Sequence, residues 1–164
     1  MNIALFQPDM AGNAAAAIRL AVCFALPISI IEPTGFVFDD RRLRRVGMDY
    51  LDRAEILRWP SFQAFDTARR RDRQRLVLLT TKGAVAHHEA QFLKDDILLA
   101  GQESGGVPDD VHAAADLRVR LPMAKGIRSL NVVTALSMVL GEALRQTGVF
   151  SDLEGLSGVG DKTD

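Results

Sequence analysis

Residues 2–31, NIALFQPDMAGNAAAAIRLAVCFALPISII, carry the pattern that sets the architecture of the chain. Residues 3–6 form a short apolar run that Pro8 ends, and the alanine-rich residues 14–26 predict a helix that Pro27 stops. Ile28–Ile31 is mainly apolar, which is typical of a strand buried on both faces. A strand, a helix and a second strand in this order predict a β-α-β unit and therefore a parallel sheet.

The same alternation continues after a predicted turn at residues 32–35. Further strands are predicted at residues 54–57, 76–80, 97–100 and 117–121, with helices at residues 61–71 and 108–114 between them. The sequence therefore predicts an α/β fold with a mostly parallel sheet flanked by helices.

The last helix is the most strongly periodic element. Apolar side chains recur at helical spacing at positions 132, 133, 136, 139, 140, 143 and 144, and Gly148 is a plausible end. Thr134, Ser137, Gly141 and Arg145 form a second ridge on which another helix could pack closely. We therefore expect a symmetric homodimer packed partly through this helix.

Length and composition favour one domain. A chain of 164 residues with 48% hydrophobic content suits a single core over residues 1–150. Residues 151–164 are rich in Gly, Ser, Asp and Lys, so we expect a disordered tail.

Several classes of protein are disfavoured by composition. The net charge of −1 does not indicate a nucleic-acid partner, which would need a local basic surface. Cys23 is the only cysteine, so an intrachain disulfide is excluded and a reducing compartment is expected. The longest nearly apolar stretch, residues 14–26, is interrupted by Arg19 and is too short to cross a membrane. We expect a soluble, cytoplasmic protein.

Three segments could carry chemistry. Residues 97–110, ILLAGQESGGVPDD, predict a strand, a glycine-rich loop and a helix; the loop could approach a ligand or could simply form a tight turn. Residues 121–131, LPMAKGIRSLN, link a strand to the last helix, and Ser129 or Asn131 could cap that helix or bind a ligand. Arg19 is the only charge in the first helix and could extend to solvent, pair with an acid or face a site.

Together these segments resemble the three motifs of the SPOUT ribose 2′-O-methyltransferases. The matching residues are 2–8, 12–13, 18–20, 101–108, 121–123 and 128–131. Residues 30–36 (IIEPTGF), 39–50 (DDRRLRRVGMDY) and 79–83 (LTTKG) resemble the small subfamily that methylates wobble nucleotide 34, cytidine or uridine, of leucine tRNAs. The resemblance covers residues 2–148.

The resemblance implies a sheet whose C-terminal segment is threaded into a trefoil knot, a homodimer, and S-adenosylmethionine as cofactor, with S-adenosylhomocysteine as product. It places cofactor contacts at Leu79, Thr80, Gly101, Glu103, Leu121, Met123, Ser129 and Leu130. It places contacts with the tRNA anticodon stem-loop at Asn13, Arg41, Arg42, Arg44, Arg45, Arg128 and Asn131. Arg19 matches the family's proposed catalytic arginine. Because a guanidinium rarely loses its proton, we expect Arg19 to anchor and stabilise charge rather than act as the base.

Three departures from the family pattern affect the expected RNA contacts more than the cofactor site. Alanines at Ala11 and after Asn13 replace a proline and a glycine, Gly105 replaces an arginine, and Gly141 replaces an aromatic residue. A SPOUT methyltransferase with another RNA target and a non-catalytic RNA-binding relative therefore stay open as alternatives.

Two further groups of residues have ordinary explanations. A second basic cluster, Arg69, Arg70, Arg71, Arg73 and Arg75, could contact phosphates or form a solvated helix face. His87 and His88 with Glu89 lack the spacing of metal ligands on a helix, so no metal is expected, and His112 and Cys23 are interpreted as structural residues.

Overall fold

A computed structural model describes residues 1–37, 53–82, 85–151 and 153. Its strands are β1 (Asn2–Phe6), β2 (Ile28–Ile31), β3 (Ile56–Trp59), β4 (Leu76–Leu79), β5 (Val85–Ala86), β6 (Ile97–Ala100) and β7 (Leu117–Arg120). Its helices are α1 (Ala11–Cys23), α2 (Phe62–Arg71), α3 (Asp109–Ala114) and α4 (Val132–Thr147).

The described strands form one sheet in the order β3-β2-β1-β6-β4-β7-β5, and every pair among them is parallel. Strands β1, β2 and β6 are buried along their whole length, because helices cover both faces of the sheet. The predicted α/β sheet is confirmed.

Two apolar layers fill the space between sheet and helices. Helices α1 and α4 pack on one face of the sheet and contact each other, with Ile18 and Leu140 fully buried between them and the strands. Helix α2 covers the other face through Phe62 and Phe65, and α3 through Val111. The central strands are thereby held in position by close packing on both faces of the sheet.

Local signals in the sequence account for most element boundaries. The Ser61 hydroxyl accepts a hydrogen bond from the Ala64 amide at the start of α2, and the Asn131 side chain accepts from the Val133 and Thr134 amides at the start of α4. Gly148 ends α4 with a left-handed backbone, φ 75°, as its position predicted.

Three elements differ from the sequence-based expectation by two residues or more. Helix α1 begins and ends three residues earlier than residues 14–26, because Ala11 and Gly12 extend it and the chain turns after Cys23. Strand β3 lies two residues later than residues 54–57, where the register with β2 pairs Ile28 with Ile56. The two-residue strand β5 was not predicted, because a run that short has no periodicity.

The position of β7 bears on the predicted knot. Strand β7 lies between β4 and β5, although it follows both of them in sequence, and α4 then returns to pack beside α1 and β6. This insertion followed by a return is the path that a threaded C-terminal segment requires. The knot itself stays a prediction.

Two other predictions concern the ends and the surroundings of the chain. The predicted tail, residues 151–164, falls outside the described residues except for residues 151 and 153. Within the described ranges, no helix combines the length and the apolar character needed to cross a membrane.

Candidate active site

A cavity of about 280 Å³ lies at the carboxyl ends of β4, β6 and β7, beside the first turns of α4. Ligands of parallel α/β sheets bind at this edge, because the loops that follow the strands can approach them with free backbone groups. One cavity is lined by all eight residues that the family resemblance places in contact with the cofactor. They are Leu79, Thr80, Gly101, Glu103, Leu121, Met123, Ser129 and Leu130. Their individual roles stay predictions.

The glycine-rich loop after β6 forms the floor of the cavity in a shape that only glycine permits at two points. Gln102 and Gly106 exchange two backbone hydrogen bonds, of 2.9 and 3.0 Å, which close the loop into a narrow bridge. A Cβ atom at Gly101 would lie 2.6 Å from the Gly106 carbonyl carbon, and Gly106 itself has φ 66°. The sequence left open whether this loop approaches a ligand or only forms a tight turn. In the structure its glycines both make the turn and line the cavity.

The Glu103 carboxylate ties together three segments at the edge of the cavity. One of its oxygens, Oε2, accepts hydrogen bonds from the Asn13 side-chain amide at 3.1 Å and from the Val132 backbone N–H at 2.9 Å. The Asn131 side chain donates to the same oxygen at 3.4 Å and to the Asn13 Oδ1 atom at 3.0 Å. A carboxylate at the positive N-terminal end of α4 is favourably placed, so Glu103 fixes the glycine loop, α1 and α4 relative to one another.

Asp9 holds the other side of the same loop. Its carboxylate accepts hydrogen bonds from the Glu103 and Ser104 backbone amides, both at 3.1 Å, and from the Ser104 hydroxyl. Burial opposes ionisation of the Asp9 carboxyl, but these hydrogen bonds outweigh burial and lower its pKa. Asp9 is therefore ionised at neutral pH and anchors the loop; sequence reasoning missed it because a lone acid after a strand carries no signal.

His112 and Lys82 also line the cavity, and neither was selected from the sequence. His112 lies on α3, immediately beyond the glycine loop, and Lys82 follows β4. Burial lowers the pKa of His112, and the nearby Lys82 and Arg118 lower it further, whereas Asp109 acts in the opposite direction. His112 thus lies at the cavity wall, and its interpretation as a structural residue stays a prediction.

Arg19 lies outside the cavity of its own chain. It is exposed on α1, on the same helical face as the exposed residues Gly12, Ala16 and Cys23. Arg19 is not among the side chains that line the cavity, whereas Asn13, six residues earlier on α1, reaches the cavity edge through Glu103. One chain alone does not bring the predicted catalytic residue to the predicted cofactor contacts.

Of the predicted RNA contacts, the described ones lie beside the cavity. Arg128 is exposed and directly precedes the lining residue Ser129, and Asn131 belongs to the network around Glu103. Arg41, Arg42, Arg44 and Arg45 lie outside the described residues.

Most arginines of the second basic cluster, residues 69–75, form ion pairs within the chain. Arg69 has a side chain only 3% exposed and pairs with Asp66 and Asp116, each at 2.7 Å. Arg75 pairs with the buried Asp96 at 2.7 Å. These arginines hold α2 and the sheet together, so phosphate contact is not their main role.

No three metal-ligating side chains gather at one place within the described part of the chain. His87 donates its backbone N–H to the Arg120 carbonyl, and its ring lies edge-on to that of His88. That no metal is needed stays a prediction.

This cavity combines apolar walls, such as Leu79, Val119 and Val139, with backbone groups of a glycine loop and a fixed carboxylate. Such a site can bind a flat apolar group and orient polar ends while excluding water, which suits the alignment of two reactants.

Comparison with known proteins identifies what this arrangement resembles. Residues 1–141 match the model of the SpoU rRNA Methylase family. The tRNA (cytidine(34)-2′-O)-methyltransferase of Ancylobacter novellus is 52% identical over 151 residues, which cover 92% of this chain and 96% of that protein.

Solved structures agree at the level of the fold. One, described as giving structural insights into the 2-OH methylation of C/U34 on tRNA, superposes with a TM-score of 0.83 at 34% identity and covers 88% of this chain and 94% of its own. Another, the SpoU methyltransferase AviRb from Streptomyces viridochromogenes in complex with the cofactor AdoMet, has a TM-score of 0.78 at 26% identity and covers 89% of this chain and 57% of its own.

Proposed function

This chain belongs to the SpoU rRNA methylase family, and on that basis we propose that it is a tRNA 2′-O-methyltransferase that modifies the ribose of cytidine 34. The observation that carries the proposal is the convergence of all eight expected cofactor residues on one cavity, in a chain 52% identical to a protein of that name. S-adenosylmethionine is the cofactor.

The cavity fits this cofactor in size and in chemistry. Its volume of about 280 Å³ is close to the lower end of typical ligand pockets, roughly 300 Å³. Leu79, Leu121 and Leu130 supply apolar walls for an adenine ring, and the close approach at Gly101 leaves backbone groups accessible. When bound, S-adenosylmethionine supplies an activated methyl group on a positively charged sulfur.

The residues of the chain contribute mainly alignment. Asp9 and Glu103 fix the glycine loop from two sides, which keeps the cavity wall in one conformation before any ligand binds. The buried lining residues Val119 and Val139 limit the water on the apolar side of the cavity. The 2′-hydroxyl must lose its proton to solvent or to a neighbouring acceptor as its oxygen gains the methyl group, so a cation near that oxygen would lower the barrier.

We propose Arg19 as that cation, acting as part of a homodimer. The exposed stripe of α1 that carries Arg19 lies on the same side of the sheet as α4. On α4 the residues Thr134, Met138, Gly141 and Arg145 form an accessible stripe with the same spacing, and the space above Gly141 is open. Ser137, part of the ridge predicted earlier, instead turns back to donate to the Val133 carbonyl. A second copy packed on this surface would bring Arg19 close to a partner's cavity.

Binding of the tRNA requires a positive surface, which the net charge of −1 does not predict. Exposed cations lie near the cavity: Lys82 lines it, and Arg118 and Arg120 precede and follow the lining residue Val119 on β7. We propose that these residues, with Arg128 and the segment containing Arg41, Arg42, Arg44 and Arg45, contact the phosphates of the anticodon stem-loop. Leucine tRNAs are the proposed substrates, and the cytoplasm, where tRNA is modified, the proposed location.

The decisive experiment is methyl transfer from radiolabelled S-adenosylmethionine to unmodified leucine tRNA. A transcript that carries 2′-deoxycytidine at position 34 is the matched control, because it differs by the one accepting oxygen. Label in the first and none in the second supports the proposal. Label in both, or in ribosomal RNA fragments only, would contradict it.

Arg19→Lys tests the role of the arginine within the same assay. The lysine keeps the positive charge but loses the two-pronged geometry, so we expect a reduction in kcat of about tenfold or more with unchanged cofactor affinity. Wild-type turnover by this variant would remove Arg19 from the mechanism, and a parallel loss of cofactor affinity would assign it a structural role.

A further inference from the structure

His112 is the histidine that lines the cavity among the described residues, and nothing in the proposed mechanism uses it. It is half-buried on α3, the short helix that follows the glycine loop. Lys82, Gly106 and Val107 line the cavity together with it. A side chain in this position borders the space that a ligand in the cavity would occupy.

The charges around His112 are mostly positive. Lys82 faces it from the segment after β4, Arg118 faces it from β7, and Asp109 from the first turn of its own helix is the opposing carboxylate. Burial and the two cations disfavour a proton on the ring, so the pKa of His112 lies below its ordinary value of 6.5 and the imidazole is neutral at neutral pH. Glu103, which lines the cavity, accepts hydrogen bonds from three donors.

We propose that His112 is a cofactor-binding residue whose neutral ring favours the positively charged S-adenosylmethionine, and whose protonation shifts preference toward the product S-adenosylhomocysteine. The two ligands have the same adenosine and amino-acid parts, but the product lacks the positive charge on sulfur. A proton on His112 would add a positive charge to the cavity wall that Lys82 also lines, close enough to Arg118 for that cation to act on the ring. The charged ligand would lose more affinity than the neutral-sulfur one.

The pH dependence of the affinity for S-adenosylmethionine follows from the linkage between ligand binding and protonation of His112. A ligand that binds more tightly to the neutral imidazole lowers the pKa of His112 on binding, so its affinity is complete above the pKa of the free protein and declines as pH falls through it. The decline therefore occurs below about pH 6.5. This inference rests on the proposed function, since it requires that the cavity binds S-adenosylmethionine.

The test is calorimetric titration of both ligands between about pH 5.5 and about pH 7.5, a range that brackets the ordinary histidine pKa. For the wild-type protein we expect the affinity ratio of S-adenosylmethionine to S-adenosylhomocysteine to fall by about threefold toward the acidic end. His112→Gln keeps a polar side chain of similar reach but cannot gain a proton, so its ratio should not change. The matched control is His88→Gln, because His88 is exposed and does not line the cavity; it should behave as wild type.

A second measurement does not depend on a variant. The ring resonances of His112 in the wild-type protein should report a lower pKa with S-adenosylmethionine bound than with S-adenosylhomocysteine bound. Equal values, or a ratio in His112→Gln that changes with pH as in wild type, would overturn the inference and leave the proposed function intact. An absence of heat for both ligands at neutral pH would instead overturn the proposed function and this inference with it.

Discussion

Glu103 shows at the scale of one residue how the active site is held together. Its side chain is exposed at the cavity. One carboxylate oxygen, Oε2, nevertheless accepts hydrogen bonds from Asn13 on α1, from Asn131 and from Val132, the first residue of α4. Resemblance to the family nominated Glu103 as a cofactor contact. The structure adds that it organises the loop that lines the cavity, so its effect on ligand binding need not come from direct contact alone.

Replacing Glu103 by alanine should weaken cofactor binding. The variant leaves the amide of Val132 and the side chain of Asn13 without their acceptor, so we expect about tenfold lower affinity for S-adenosylmethionine by calorimetry, which corresponds to about 1.4 kcal/mol. Glu89→Ala, at an exposed acid outside the cavity, is the control and should bind normally. Equal affinities for both variants would show that the Glu103 network is not needed to shape the site.

Helix α2 is held to the sheet by a buried arginine, which is the clearest example at the scale of an element. The Arg69 guanidinium pairs with Asp66 in its own helix and with Asp116 before β7, and it donates to the Ala114 and Gln74 carbonyls at 2.8 and 3.1 Å. The Asp116 carboxylate also accepts a hydrogen bond from the Leu76 backbone N–H at the start of β4. One side chain thus joins α2, the end of α3 and two strands that carry cavity residues.

Arg69→Ala should therefore lower the free energy of unfolding by about 3 kcal/mol, since it removes a buried guanidinium together with two ion pairs and hydrogen bonds to two backbone carbonyls. Chemical denaturation followed by circular dichroism measures the change. The control is Arg71→Ala, whose side chain is 77% exposed and pairs only with the neighbouring Asp72, and it should leave the denaturation midpoint unchanged. A similar midpoint for both variants would mean that the Arg69 cluster does not contribute to stability.

At the scale of the whole molecule, the proposed active site has two parts that lie apart within one chain. The cavity opens at the carboxyl ends of β4, β6 and β7, whereas Arg19 lies on the exposed face of α1. On the proposal of a homodimer, cofactor binding depends on the single chain and methyl transfer depends on the assembly.

Met138→Glu separates these two properties. Met138 is 48% exposed on α4, so a charge there should disrupt the proposed interface without unfolding the chain. We expect sedimentation as a monomer and loss of at least tenfold in methyl transfer, with cofactor affinity retained. Leu57→Glu is the control, because Leu57 is exposed on β3 and its neighbour Ile56 faces the α1 and α4 layer, which places Leu57 on the opposite face. A Met138→Glu dimer with normal activity would place the interface elsewhere.

The fold class could be predicted because its signals are local. Apolar runs such as Ile28–Ile31 and Ile97–Ala100 mark buried strands, and the periodicity of α4 with Asn131 and Gly148 at its ends marks a helix, whatever surrounds them. The motif residues around Gly101 and Leu121 line one cavity, since they follow strands whose carboxyl ends meet; that this cavity is the cofactor site stays a prediction. Strand β5 and the exact limits of β3 were not predicted, because pairing with a neighbouring strand defines them.

Other features depend on contacts between distant parts of the chain. The network that joins Asn13, Glu103 and Asn131 spans more than a hundred residues of sequence, and the basic cluster around Arg69 proved to be paired with acids from elsewhere. The surroundings of His112 likewise bring together Lys82, from the segment after β4, and Arg118, from β7. Periodicity and residue type fix which segments form strands and helices, because those choices depend on near neighbours. Charge partners, burial and the position of Arg19 outside its own cavity depend on packing across the sheet, which no local pattern encodes.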